Sequence, residues 1–110
     1  MGFFDRFRRD SGASADLSYL RQWAAQRSGV EAFVEPQTPV TPLTVVLVAA
    51  DGEWTRRAAG GPAGARRVGQ LLRIPVYDVQ KVGYPQRMRD FDARRRIERR
   101  RALRAELDGP

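Results

Sequence analysis

The sequence predicts a small α/β domain of the α+β kind, in which helices cover a mixed four-stranded sheet and a basic C-terminal helix projects from the body. Short apolar runs typical of strands alternate with stretches of helical spacing, in the order α-β-β-β-α-β-α. The length of 110 residues suits one domain. We therefore expect a flexible N-terminal segment (1–13), a compact domain (14–83) and a basic C-terminal helix (84–110).

The first helix is predicted over residues 14–27. Its apolar residues recur at helical spacing and form one stripe suited to a core: Leu17, Leu20, Trp23 and Ala24. Ser14 is a suitable N-cap and Gly29 a suitable stop. The preceding segment places Phe3, Phe4 and Phe7 among arginines. These rings could pack on their own domain or lie on a membrane surface as a short amphipathic turn.

Three strands are predicted next. "VEAFVEP" (Val30–Pro36) alternates between apolar and polar residues and indicates an edge strand, and the proline-rich stretch after it is an extended connection. "LTVVLVAA" (Leu43–Ala50) is apolar on both faces and belongs in the middle of the sheet. Asp51-Gly52 favours a two-residue type I′ turn. "EWTRRAA" then returns antiparallel, with alternate residues on opposite faces.

Gly60-Gly61-Pro62 predicts the start of a second helix. Its buried stripe is expected to comprise Ala65, Val68, Leu71 and Leu72, whereas three arginines should face outward: Arg66, Arg67 and Arg73. "IPVYDVQKV" (Ile74–Val82) follows directly and predicts a fourth strand, joined by a parallel crossover. Gly83 interrupts this pattern, and the final helix should run from Pro85 to about Leu107.

The composition excludes several kinds of active site. Cysteine and histidine are both absent, so thiolate and histidine-ligated metal sites and Ser–His or Cys–His mechanisms are excluded. The glycine cluster at residues 60–69 does not fit a dinucleotide-binding motif. We predict no cofactor, no metal and no catalytic residue. Asp78, expected to be partly buried in an inner strand, leaves a small oxidoreductase-like or cofactor-binding domain as one alternative, although a structural hydrogen bond suits it better.

The final helix carries the main functional signal. Tyr84, Met88 and Phe91 share one face that can dock on the sheet. Beyond them arginines surround the helix, and residues 84–110 hold nine arginines against five acids. Guanidinium groups bind phosphate oxygens through a planar fork. The candidate nucleic-acid-binding residues are Lys81, Tyr84, Arg87, Arg89, Arg94, Arg95, Arg96, Arg99, Arg100, Arg101 and Arg104.

These features predict a cytoplasmic RNA-binding accessory protein, with the ribosome as a candidate target. The net charge of +7 agrees with a polyanionic partner. Two alternatives stay open: an adaptor that docks on an acidic protein, and a solvated tail with no specific partner. No apolar run has the length of a membrane span, and the N-terminus lacks the apolar stretch of a secretory signal, so neither a membrane nor a small molecule is the expected partner.

Two stretches, "VVLVAADGEWTRR" and "IPVYDVQKVGYPQRMRDF", carry a resemblance to known proteins. The chain resembles a family of small uncharacterised actinobacterial proteins, over about residues 14–92. Some of these proteins carry an oxidoreductase label, but the resemblance supplies no catalytic motif for this chain. It implies only a bacterial, cytoplasmic setting.

Overall fold

The structure is a computed structural model that describes residues 16–109. Within these residues the chain forms four helices and a mixed four-stranded sheet, so the predicted α+β fold is confirmed. The elements are α1 (16–25), β1 (Glu31–Glu35), β2 (Thr44–Val48), β3 (Trp54–Ala58), α2 (Gly61–Leu72), β4 (Val76–Asp78), α3 (Val79–Val82) and α4 (Gln86–Leu107). The predicted roles of Phe3, Phe4, Phe7 and Ser14 lie outside the described residues.

The strands lie in the order β3-β2-β1-β4. β2 is an inner strand, as its apolar run predicted, and β4 joins β1 in the predicted parallel direction. The prediction that β1 is an edge strand is wrong, because β2 and β4 flank it on its two sides. The charges that suggested an edge are Glu31 and Glu35. Each is paired with an arginine on the same face of the sheet, so an inner position leaves neither of them unpaired.

β2 and β3 form the predicted antiparallel hairpin, but its turn differs from the prediction. Gly52 N donates to Ala49 O at 3.0 Å and Ala49 N donates to Glu53 O at 2.8 Å, so three residues form the loop. A type I′ turn needs positive φ at both central residues. Here Gly52 has a φ of 93° whereas Asp51 does not enter the left-handed region. The Asp51 carboxylate instead accepts a hydrogen bond from Glu53 N at 2.9 Å.

The fourth strand is shorter than predicted and lies at an edge. It spans Val76–Asp78, and the residues after it turn into α3. Asp78 causes this change, because its carboxylate accepts from Gln80 N at 2.9 Å and caps the new helix. The prediction that Asp78 is partly buried in an inner strand is therefore wrong. A cofactor site centred on Asp78 loses the burial on which it rested.

The sheet separates two apolar clusters. The larger one lies between the sheet and the pair α1 and α2, and it includes the whole predicted stripe of α1. In α2 the stripe is confirmed for Ala65, Val68 and Leu72, but Leu71 is 45% exposed and was wrongly included. The smaller cluster covers the opposite face of the sheet and comprises Phe33, Val46, Val48 and Met88, with Trp54 and Tyr84 packed against it. Met88 belongs to α4, so this cluster fixes that helix on the sheet.

Candidate nucleic-acid interface

The first two turns of α4 dock on the sheet through Arg87 as well as through apolar contacts. Arg87 Nη2 donates to Glu31 Oε1 at 2.6 Å, and Arg87 Nε donates to the carbonyl oxygen of Ala49 at 2.9 Å. Two of its nitrogens therefore already have oxygen partners on the sheet. Of the predicted interface residues, Arg87 is the one whose charge the domain itself uses.

Tyr84 also has a partner within the domain. Its hydroxyl donates to Glu35, which further accepts two hydrogen bonds from Arg56 at 2.6 and 2.9 Å and one from Thr44 at 2.6 Å. Burial opposes the charged form of Glu35. These hydrogen bonds outweigh that effect, foremost those from Arg56, and lower the pKa of Glu35 from 4.5 to about 2. Tyr84 therefore docks the start of α4 rather than offering a free ring.

Three further contacts bring α4 against the β2–β3 hairpin. Trp54 Nε1 donates to Asp92 Oδ1 at 2.8 Å. The turn approaches α4 so closely that a Cβ on Gly52 would lie 2.0 Å from the carbonyl oxygen of Arg87. Arg94 Nη2 donates to the carbonyl oxygen of Asp51 at 2.9 Å, the most C-terminal of these ties. Among the described residues, Arg94 is thus the last residue of α4 that donates a hydrogen bond to the hairpin.

Beyond Ala93, α4 leaves the domain. Every residue from 94 to 109 is exposed, and the helical part, residues 94–107, extends about 21 Å at 1.5 Å per residue. The structure measures 59 Å along its longest axis and 32 and 29 Å along the other two, and this elongated shape agrees with a protruding helix. The aliphatic residues on this part are not enough to form a stripe, which is why the sequence predicted a projecting helix.

The charge imbalance predicted for this helix persists in the structure. Residues 94–109 hold seven arginines against Glu98, Glu106 and Asp108, which leaves a formal charge of +4. Within residues 16–109, no carboxylate oxygen lies within 4.0 Å of any of these seven guanidinium groups. The body of the domain therefore leaves this positive charge unmatched.

Four of the exposed arginines share one side of α4. At 100° per residue they fall within an arc of about 80° and span about 22 Å along the axis. We call them the arginine row: Arg89, Arg96, Arg100 and Arg104. Arg101 lies about 60° beyond one edge of this arc, and Arg99 and Arg95 lie about 60° and 100° beyond the other edge. Lys81 is exposed on α3 and is not part of the row.

Sequence patterns alone missed the residues that anchor the helix. Glu31, Glu35, Arg56 and Asp92 hold the start of α4 on the sheet, and none of them was predicted to do so. One signal was present, since Glu31 and Glu35 have the period-2 spacing that places both on one face of β1. Two carboxylates on one face of a strand require cationic partners from whatever covers that face.

No protein family, curated protein or solved structure matches this chain. The resemblance to small actinobacterial proteins therefore stays a prediction. Among residues 16–109, none of the helices combines the length and the apolar character that crossing a bilayer demands.

Proposed function

We propose that this protein is an RNA-binding accessory protein of the cytoplasm, and that the arginine row lies along phosphate groups of the RNA. The observation that carries the proposal is the projecting part of α4. It has seven exposed arginines, a formal charge of +4, and no carboxylate of the described residues within ion-pair distance of those arginines. Phosphate oxygens supply the negative charge that the domain does not.

The geometry of the row favours contact with a phosphate backbone. Four guanidinium groups on one side of a straight helix can engage successive phosphates, each through two parallel N–H donors. Such contacts set affinity and orientation but carry no base sequence. Because the ribosome presents the densest array of RNA phosphates in the cytoplasm, it is the particle we propose as the target.

Capture from native lysate tests this proposal. The full-length protein, immobilised through its N-terminus, should retain RNA, and ribosomal RNA should be enriched in the eluate. The retained RNA should fall steeply as the salt concentration rises. A matched capture with a variant that ends at Ala93 should retain none. Equal recovery by both proteins would refute the role of α4.

A second function, an adaptor for an acidic protein, is supported by one further observation. Ile97, Leu103 and Leu107 on the projecting helix are 44%, 57% and 78% exposed. Together with the stems of Arg100 and Arg104 they line a shallow surface that could enter an apolar groove with an acidic rim. Proteins that remain bound after nuclease treatment, and that are lost on replacing Ile97 and Leu103 by serine, would favour this function over RNA binding.

A further inference from the structure

A groove lies between residues 91–99 of α4 and the β2–β3 hairpin, on the side of the helix away from Arg100 and Arg104. Its volume is about 730 Å³, within the range of small-ligand sites. We call it the root groove, and it is lined by Glu53, Trp54, Phe91, Asp92, Arg95, Arg96 and Arg99. The docking of α4 uses Trp54, Phe91 and Asp92 but leaves the arginines of the groove unused.

The charges of the root groove favour a bound anion. Glu53 is already neutralised, because Arg27 donates to both of its oxygens at 2.7 to 3.2 Å. Asp92 is then the remaining carboxylate of the groove, which three arginines also line: Arg95, Arg96 and Arg99. The groove therefore carries a formal excess of two positive charges, held by exposed guanidinium groups. Phosphate oxygens fit this groove.

The aromatic residues of the root groove favour a flat ring beside that anion. Trp54 and Phe91 are half-buried and both line the groove, so part of each ring is accessible from it. The Trp54 ring is held in place by its hydrogen bond to Asp92 and by Arg56, whose guanidinium lies 5.1 Å from the ring centre. Rings held before binding lose little conformational entropy when a base stacks on them.

We propose that the root groove binds one unpaired nucleotide of an RNA strand. The base stacks on Trp54 and Phe91, and its phosphate is held by Arg95 and Arg99. Asp92 Oδ1 accepts from Trp54 Nε1, and the second carboxylate oxygen serves as the acceptor for an amino group of the base. This inference rests on the proposed function. Arg96 belongs both to the arginine row and to the root groove, so an RNA strand bound along the row would continue into the groove.

A single-stranded RNA of about five nucleotides, labelled for fluorescence anisotropy, tests the site in the full-length protein. Binding should quench the fluorescence of Trp54. In Trp54→Phe the quenching should disappear, because the remaining tryptophan, Trp23, is only 7% exposed. Phe91→Leu keeps an apolar side chain but removes the ring, and should weaken binding about fivefold to tenfold.

Two charge-matched variants separate the groove from the rest of the helix. R95Q/R99Q and R100Q/R104Q each remove two positive charges from exposed positions of α4. The first pair should weaken binding of the short single strand at least tenfold more than the second. For an RNA duplex, which has no unpaired base to insert, the order should reverse. Circular dichroism and urea unfolding should show the same fold and stability for both variants.

The inference is overturned if the short strand leaves Trp54 fluorescence unchanged, or if the two arginine pairs weaken its binding equally. Its failure is distinguishable from that of the proposed function. Long RNA that still binds with steep salt dependence, while the groove variants behave like the wild type, would refute the nucleotide site and leave the arginine row in place. If the wild-type protein bound no RNA at all, both the nucleotide site and the proposed function would be refuted.

Discussion

Replacing the arginine row by glutamine is the most direct test of the proposal that α4 binds RNA. The variant R89Q/R96Q/R100Q/R104Q changes the net charge from +7 to +3. All four side chains are exposed, and none has a carboxylate of residues 16–109 within 4.0 Å. Glutamine has nearly the helix propensity of arginine, so α4 should persist. Only the phosphate contacts should change.

The magnitude follows from the number of phosphates that the row can neutralise. With about four contacts, the logarithm of the binding constant should fall with the logarithm of salt concentration at a slope of about −2.8 for single strands and −3.6 for a duplex. Between 50 and 200 mM salt, that slope corresponds to a loss of affinity of roughly 50-fold to 150-fold. The variant should lose most of this slope, so that other residues leave a slope with a magnitude of about 1 or smaller.

Anisotropy titrations at several salt concentrations measure the slope, and a control separates location from net charge. The variant R21Q/R66Q/R67Q/R73Q also has a net charge of +3, but its exposed arginines lie on α1 and α2 or directly after α2. It should retain a slope close to that of the wild type. If both variants lose the same slope, affinity depends on the overall charge of the molecule, and the assignment of the interface to the row is refuted.

Three further predictions concern the domain that carries α4. Glu35→Gln should lower the free energy of unfolding by about 1–2 kcal/mol at pH 7, after allowance for solvent screening. The folded-state pKa of Glu35 is depressed from 4.5 to about 2, so its contribution is complete above about pH 4.5 and is lost as the pH falls towards 2. Urea unfolding of the two proteins should therefore give the same free energy at low pH. Gly52→Ala should cost about 1–2 kcal/mol for its positive φ and at least as much again for the overlap with Arg87 O. Gly61→Ala, with a φ of 79° and nothing within 4 Å of the added Cβ, should show only the first cost in thermal unfolding. Ending the chain at Ala93 should change the free energy of unfolding by less than about 0.5 kcal/mol, because every residue from 94 to 109 is exposed and the one hydrogen bond lost to the body, from Arg94 to the carbonyl oxygen of Asp51, is exposed too. A larger loss would mean that the projecting part stabilises the body.

The parts of the fold that the sequence predicted correctly are those with strong periodicity. The stripe of α1, the continuous apolar run of β2 and the helical spacing around Met88 each have one stable solution, in which the apolar side is covered. The errors fall where a single polar contact decides the local structure. The Asp78 carboxylate ends β4 by capping α3, and the contacts of Glu31 and Glu35 allow β1 to lie inside the sheet.

The candidate site divides along the same line. That the last quarter of the chain holds more arginine than it can neutralise was visible from composition, and the exposed arginines of residues 94–107 agree with it. The root groove was not visible, because Trp54 and Arg99 are 45 residues apart in the sequence. Their proximity depends on the docking of α4 against the hairpin, and therefore on Asp92, Gly52 and Arg87 together.

What makes an arginine of α4 available to an external anion, which we propose is RNA, is its position relative to the sheet. Arg87 and Arg104 are the same residue type on the same helix, but Arg87 lies over β1, where Glu31 reaches it at 2.6 Å. Beyond Ala93 no carboxylate of residues 16–109 comes within 4.0 Å of an arginine, so the charge of such an arginine is left for another molecule. The helix supplies three acids for seven arginines in residues 94–109. The number of arginines available to another molecule is therefore set by how far α4 extends beyond Ala93. Shortening α4 from its C-terminal end, one turn at a time, should reduce the salt dependence of RNA binding in steps.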